Sequence, residues 1–317
     1  MSVYTTISES DLKDFLSHYS VGTLVSYEGI KAGIENTNYF VTTSTGEFVL
    51  TIFEQLEWNE LPYFMDIMAF LAEHKVPSAH PVADKIGGYL RKIEDRETNT
   101  LKPVALVARL SGSGVDNPTP HQCAELGEAL GRMHSLAHNF KGERTNPRGI
   151  EWCREVTAKL TDKLTTAELS FLNQELAFQA TTERSDLPQG VIHADLFRDN
   201  ALFIDDHLTG IIDFYYACND ALLYDIAVTV NDWCVSESGS LDQERSTNLL
   251  DSYQTKRQLT DLERREWRAM LRAAALRFWL SRLIDLHFPR PGEMTHIKDP
   301  DIFRKILLWH RENEINL

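Results

Sequence analysis

The residues best suited to chemistry lie in one short run. His193, Asp195 and Asn200 follow one another as His-x-Asp-x-x-x-x-Asn, and Asp213 closes the later stretch Ile211-Ile212-Asp213. A carboxylate beside a substrate hydroxyl can orient it and take its proton. An asparagine oxygen and a second carboxylate are hard donors that hold a divalent cation against phosphates. The set therefore points to phosphoryl transfer, with Asp195 at the acceptor hydroxyl and Asn200 and Asp213 on Mg2+. His193, grouped with Asp195 in the catalytic loop, suits bracing that loop by hydrogen bonding better than acting on substrate. An Asp and an Asn that merely cap a surface loop are the plain alternative. The flanks argue against it. Apolar Val191-Ile192 precedes the run, Ala201-Leu202-Phe203-Ile204 follows, and Asp205 to Gly210 reads as a turn before Ile211-Ile212. Such a hairpin returns Asp213 to the side of Asn200.

The elements that must position this loop change character along the chain. Leu12, Phe15 and Leu16 mark a short amphipathic opening helix. Tyr39 to Thr43 and Glu47 to Phe53 read as strands joined by the turn Ser44-Thr45-Gly46. A helix over Leu61 to Glu73 follows, stopping before Pro77, and Tyr89 to Ile93 and Lys102 to Arg109 read as two further strands. The Gly/Ser/Pro stretch 111–118 reads as a hinge. Thr119-Pro120-His121-Gln122 is a capping box with proline at the first helical position. Helical pattern then runs from about Glu151 to Ala180 and again from about Ser240. The expectation is an α+β chain: a small antiparallel β-rich lobe over 1–110, a linker over 111–118, and a larger, mainly helical lobe over 119–317.

Composition narrows the partners. Lys and Arg number 32 against 47 Asp and Glu, a net charge of -15 over 317 residues. A general nucleic-acid binder needs a basic face and is excluded. No stretch has the roughly 20 apolar residues that span a bilayer, and the first residues carry no basic start or apolar run of a secretory signal. Cys123, Cys153, Cys218 and Cys234 lack CxxC spacing and read as reduced, buried thiols in a cytoplasmic protein. No HExxH occurs, and the single HxxxH, His134 to His138, lacks its glutamate, so a histidine-based metalloenzyme finds no support.

The His193–Asp195–Asn200 and Asp213 pattern resembles the catalytic and metal loops of the bilobal protein-kinase-like fold. It is nearer the aminoglycoside-phosphotransferase branch than protein kinases. Tyr215, not glycine, follows Asp213-Phe214, and no Ala-Pro-Glu segment comes after it. Four stretches narrow the resemblance: Glu28 to Tyr39, Phe48 to Glu54, Val191 to Phe197, and Asp213 to Cys218. Together with Ala275 to Phe278 they are similar to homoserine kinases of the aminoglycoside-phosphotransferase-like type, over nearly the whole chain. That resemblance implies ATP-dependent phosphorylation of the L-homoserine hydroxyl, with Mg2+, in threonine biosynthesis in the cytoplasm. Residue types alone reach only a small-molecule phosphotransferase. Choline, an aminoglycoside or a thiosugar remain alternative acceptors, and a nucleotide-binding scaffold without turnover is a further reading.

Within that frame, Gly29 and Gly33 flank a phosphate-covering turn, Asn36 and Asn38 enter the next strand, and Leu110 lies where backbone groups would meet adenine. The strand lysine usual in such folds is absent, because Thr51 stands there; Lys31 or Arg91 are the other cations considered. An amino-acid acceptor needs arginine for its carboxylate and an acid for its ammonium. Arg277 and Arg282 border the apolar stripe of the late helix and are the candidate clamps. The alternative is that they pair with Asp285 or Glu263. Asp220 is the candidate for the ammonium, Tyr215 or Tyr216 for a pocket wall, and Asp225 for a helix cap. His134 reads as a packed structural histidine.

Overall fold

Alternating burial and side-chain caps generate most elements of the first half. A computed structural model describes the protein at residues 5–30, 35–182, 184–289, 298–315 and 317. The chain divides into two units, with the division between Ser111 and Gly112. In the first, Ser8 caps helix α1 (Glu9–Ser17) by accepting from the Asp11 N–H at 3.2 Å. Strands β1 (Leu24–Gly29), β2 (Thr37–Thr43) and β3 (Glu47–Ile52) follow, then helix α2 (Leu61–Glu73), then strands β4 (Leu90–Asp95) and β5 (Thr100–Ala108). The strands form one antiparallel sheet in the order β1-β2-β3-β5-β4. Every second residue of β2 is buried, so one face packs a core. There Tyr39, Val41, Leu50, Ile52, Val104 and Leu106 join Leu12, Phe15 and Leu16 of α1. Each such apolar side chain contributes about 1.5–3 kcal/mol by leaving water, which holds α1 to the sheet.

The second unit opens with the capping box. The Thr119 hydroxyl accepts from Gln122 N, and the Gln122 side chain accepts from Thr119 N, starting helix α3 (Pro120–Leu136). Helices α4 (Ile150–Lys159) and α5 (Thr166–Gln179) come next. One continuous helical region was expected there. Thr165 breaks it, because its hydroxyl caps α5 through Glu168. Strand β6 (Gln189–Ile192) leads into the candidate loop, and strands β7 (Ala201–Ile204) and β8 (His207–Ile211) form the expected hairpin. Its turn is shorter than expected. Asp205, at φ 53°, makes the tight left-handed step, so His207 to Gly210 pair in β8 instead of looping. Strand β9 (Cys218–Ala221) pairs with β6, a contact of distant residues that local pattern does not reveal. Helices α6 (Leu222–Trp233), α7 (Gln243–Gln254), α8 (Asp261–His287) and α9 (Asp301–Glu312) complete the unit. All four cysteines are buried and free. Among the described residues no helix is long and apolar enough to cross a membrane.

Helices α3 and α7 approach through glycine. A Cβ at Gly127 would lie 2.1 Å from the Leu249 carbonyl oxygen, and one at Gly131 would lie 2.5 Å from that of Tyr253. Alanine at a helix interior gains about 1 kcal/mol of propensity over glycine. Here the clash is with backbone, and such overpacking costs about 1–3 kcal/mol. Gly127→Ala is therefore expected to lower the melting temperature, and an unchanged or higher melting point would contradict the close approach.

Candidate active site

The loop after β6 is built on one buried carboxylate. Asp225, in the first turn of α6, accepts from His193 N at 2.8 Å and from Ala194 N at 2.7 Å. It is also bonded to His134 Nε2 at 3.1 Å. Burial opposes its ionisation. The hydrogen bonds from His134 and from the backbone N–H of His193 outweigh that and hold its carboxyl below the usual range. Asp225 was expected to cap its own helix. The N-cap is Ala221 and lacks a side-chain bond, and Asp225 caps the catalytic loop instead. His134 is fully buried as expected, but it also relays outward, from Asp225 to the Tyr253 hydroxyl at 2.9 Å. Tyr253 accepts from Arg257 at 3.0 Å, and Arg257 donates to Glu263 of α8 at 2.8 Å. Glu263 thus pairs with Arg257 and closes the capping box of α8 with Thr260.

The loop turns tightly at Ala194, with φ 64°. The two ring nitrogens of His193 both meet backbone: Nε2–H donates to Ile212 O at 2.9 Å, and Nδ1 accepts from Asp195 N at 3.3 Å. Those bonds fix a neutral tautomer, in line with burial pushing the imidazole pKa down. His193 therefore ties the Asp195 loop to the strand end before Asp213, and is a positioning residue. Asn200, at the end of a single 3-10 turn, donates Nδ2–H to Asp195 O at 2.8 Å and lies 3.4 Å from Asp195 Oδ2. The ladder runs on as Ile212 N donates to Asn200 O at 3.0 Å, which sets Asp213 next to Asn200 as the hairpin pattern required. Asp213 is exposed and held at φ 63°.

Asp195 is largely buried, its side chain 18% exposed, with Arg277 NH1 3.7 Å from its Oδ1. Burial pushes its carboxyl up to about 8, Asp213 and Asp199 add to the rise, and Arg277 and Lys298 oppose it. The negative charge of Asp213 and Asp199 near this buried carboxyl favours a cation at the site. Asp195, Asn200, Asp213 and Arg277 therefore share one site. The donors present (an amide oxygen and an exposed carboxylate) suit a hard cation such as Mg2+.

The other acceptor candidates divide. Arg277 is buried, with its guanidinium 5.2 Å from the Tyr216 ring and 3.7 Å from the Phe278 ring. Arg282 points elsewhere. It donates to the Asp299 carbonyl at 2.8 Å and covers Phe303 at 4.5 Å, in a cluster where Phe303 meets Phe278 and Phe197. One helical step separates its stripe from that of Arg277, and the two face different neighbours. Asp220 accepts from Asn146 Nδ2 at 2.6 Å and from Ala221 N at 2.7 Å. Tyr215 is half-buried beside Tyr216. Sequence reading missed Asn146, Arg148 and Arg184, which line a small cavity with Arg277. They lie in irregular segments far from any motif. It also missed that His121, Glu125 and His207 bring ligand atoms within 4.8 Å of one another, since His207 comes from a distant hairpin.

In the first unit, Gly29 ends β1 opposite Tyr39, and Gly33 and Lys31 lie outside the described residues. Asn36 is buried. Asn38 is spent on structure: its Oδ1 accepts from the Thr51 hydroxyl at 2.8 Å, and its amide lies 3.4 Å from Asn36 O. Arg91 is tied to Asp84 at 2.7 Å. Lys102 is neutralised by Glu54 at 2.6 Å and Asp95 at 3.0 Å. Leu110 follows the end of β5, half-buried.

Residues 26–267 match the phosphotransferase enzyme family. The chain is 49% identical over 307 residues to a homoserine kinase of Methylobacillus flagellatus, covering 97% of this chain and 94% of that one. It is 44% identical to a homoserine kinase of Janthinobacterium sp., covering 97% and 95%. Among solved structures it resembles an amicoumacin kinase in complex with AMP-PNP and Ca2+, with a TM-score of 0.72, 16% identity and coverage of 96% and 93%. It also resembles a choline kinase of Streptococcus pneumoniae, with a TM-score of 0.63, 14% identity and coverage of 96% and 99%. At those identities the structures speak for the fold: a β-sheet lobe and a helical lobe of kinase-like type.

Proposed function

The chain belongs to the phosphotransferase enzyme family, within its homoserine kinases, and from that premise we infer that it phosphorylates the side-chain hydroxyl of L-homoserine at the expense of ATP. The observation that carries the chemistry is the joining of Asp195, Asn200 and Asp213 by one hydrogen-bonded loop and hairpin. The homoserine oxygen attacks the γ-phosphorus of ATP in line, a new P–O bond forms, and the bond to the β–γ bridging oxygen breaks to release ADP. Asp195 holds the attacking hydroxyl and receives its proton, which then passes to solvent. Asn200 Oδ1 and the Asp213 carboxylate would hold Mg2+, which neutralises phosphate charge when bound. Arg277 lies against Asp195, balances its charge, and stands ready for the acceptor's own anionic group. Asp220 is assigned to the acceptor ammonium and Tyr215 to the pocket wall. Gly29, Gly33, Asn36 and Leu110 are assigned to the nucleotide side, where Asn38 acts by fixing the strand.

ADP release with Mg2+ and ATP should rise with L-homoserine and stay at background with choline, kanamycin or methylthioribose. Turnover with another member of that panel instead would keep the chemistry and remove the acceptor. Asp213→Asn is expected to raise the Mg2+ requirement by at least the roughly 10–100-fold that even an outer-shell change costs. A Mg2+ titration of activity that overlays the unmodified enzyme would take Asp213 out of the metal site.

A further inference from the structure

Three arginines of the second unit share one pocket. Arg148, Arg184 and Arg277 line a pocket together with Asn146, Tyr224 and Cys153. They come from the segment before α4, the segment after α5, and α8. Arg148 and Arg277 hold their guanidiniums 5.9 Å and 5.2 Å from the same Tyr216 ring. Arg184 is oriented by a 2.8 Å bond to Gln179 Oε1, and Gln179 is itself fixed to the Ala269 carbonyl at 3.1 Å. All three charges reach the Cys153 thiol, which burial nonetheless pushes up to about 11. Among the described residues, neither Arg148 nor Arg184 has a carboxylate within ion-pair distance. Arg277 pairs with Asp195 at 3.7 Å. Two guanidiniums without carboxylate partners, beside a third that shares Asp195, make an anion site.

We propose that Arg148 and Arg184, with Arg277, form the subsite for the α-carboxylate of the acceptor, and that this subsite selects an amino acid over an amino alcohol. Arg277 joins it to the reacting end, since it touches both the cavity and Asp195. In homoserine two methylene groups separate the hydroxyl oxygen from the carbon that bears both charged groups, so one molecule spans from Asp195 to the arginines. Asn146 lines the cavity and donates to Asp220, which brings a carboxylate to the edge where the ammonium would sit. The inference rests on the homoserine reading above and adds to it the residues that enforce specificity.

The test compares L-homoserine with 3-amino-1-propanol, the same molecule without its carboxylate, in the unmodified enzyme and in Arg148→Ala and Arg184→Ala. The ratio of kcat/KM for the two acceptors is read on one sample, so lost or misfolded protein cancels. The unmodified enzyme should prefer homoserine strongly. Each substitution should reduce that preference by about 10–100-fold, the worth of a hydrogen bond to a charged group, chiefly through KM for homoserine. Arg184→Lys, which keeps the charge but not the fork, should fall between and serves if alanine lowers activity on both acceptors. An unchanged ratio in the variants, or equal use of both acceptors by the unmodified enzyme, overturns the subsite while leaving the homoserine reading standing. Failure of the unmodified enzyme to turn over homoserine overturns that reading, and the subsite with it.

Discussion

Asp195→Asn should reduce kcat with homoserine by about 10²–10⁴-fold, the usual contribution of a positioned acid–base group. Nucleotide binding should persist, because the amide keeps the shape of the carboxylate and Asn200 and Asp213 are untouched. The substitution should also leave the melting temperature unchanged or raise it. Asp195 is a carboxylate pushed into a buried site beside Asp213 and Asp199, with Arg277 as its partial relief. Removing a charge that the fold disfavours relieves the ligand-free protein, as often happens where activity requires strain. Thermal melting, nucleotide binding and single-turnover kinetics on the same preparation check all three expectations. Retained turnover would remove Asp195 from the reaction, and a large fall in melting temperature would show that its role is architectural.

The second large effect is expected at Asp225, which is fully buried behind the loop. Asp225→Ala strips the acceptor from the backbone N–H groups of His193 and Ala194 and from His134 at once, all within the protein interior. Breaking a buried charged network from one side costs about 3–5 kcal/mol. For a unit of this size that corresponds to roughly 6–20 °C in melting temperature. Asp225→Asn keeps one oxygen acceptor and should cost less. The two proteins also differ in their response to acid. The folded-state pKa of Asp225 is held below its unfolded value. Its stabilisation is therefore fully present above about pH 4, near the unfolded carboxyl pKa, and is lost as pH falls through the lower folded value. The stability gap between unmodified protein and Asp225→Asn should accordingly narrow on acidification below that point. A gap that is constant with pH, or a negligible effect of Asp225→Ala at neutral pH, would contradict the role of this carboxylate.

These two aspartates also mark what sequence could and could not reveal. Asp195 was readable because its chemistry, its spacing to Asn200 and its flanking strands all lie within a few residues. The hairpin that returns Asp213 is local too, and the capping box at Thr119 appears as read. Asp225 was misassigned because its partners, His134 and the backbone of His193 and Ala194, are remote in sequence. Arg277 and Arg282 lie on adjacent stripes that both border the apolar face, so either looked fit to clamp a carboxylate. Only tertiary packing turns one toward Tyr216 and Asp195 and the other toward Phe303. Arg148 and Arg184 carried no periodic or motif signal, since an irregular segment is positioned by the elements on either side of it. On the nucleotide side, Asn38 looked like a phosphate-loop donor and is instead the partner of Thr51. That bond also explains how a strand without the usual lysine fills the position with a short hydroxyl.

The most direct measurement is the ³¹P spectrum of a reaction containing the purified protein, Mg2+, ATP and L-homoserine, followed to completion. Matched growth of ADP and one phosphate monoester, identified by mass as homoserine plus a phosphoryl group on oxygen, with no phosphorylated protein accumulating, is the predicted result. Production of free phosphate alone, a phosphoprotein that forms at the rate of turnover, or no change in the spectrum would contradict direct transfer to the homoserine hydroxyl.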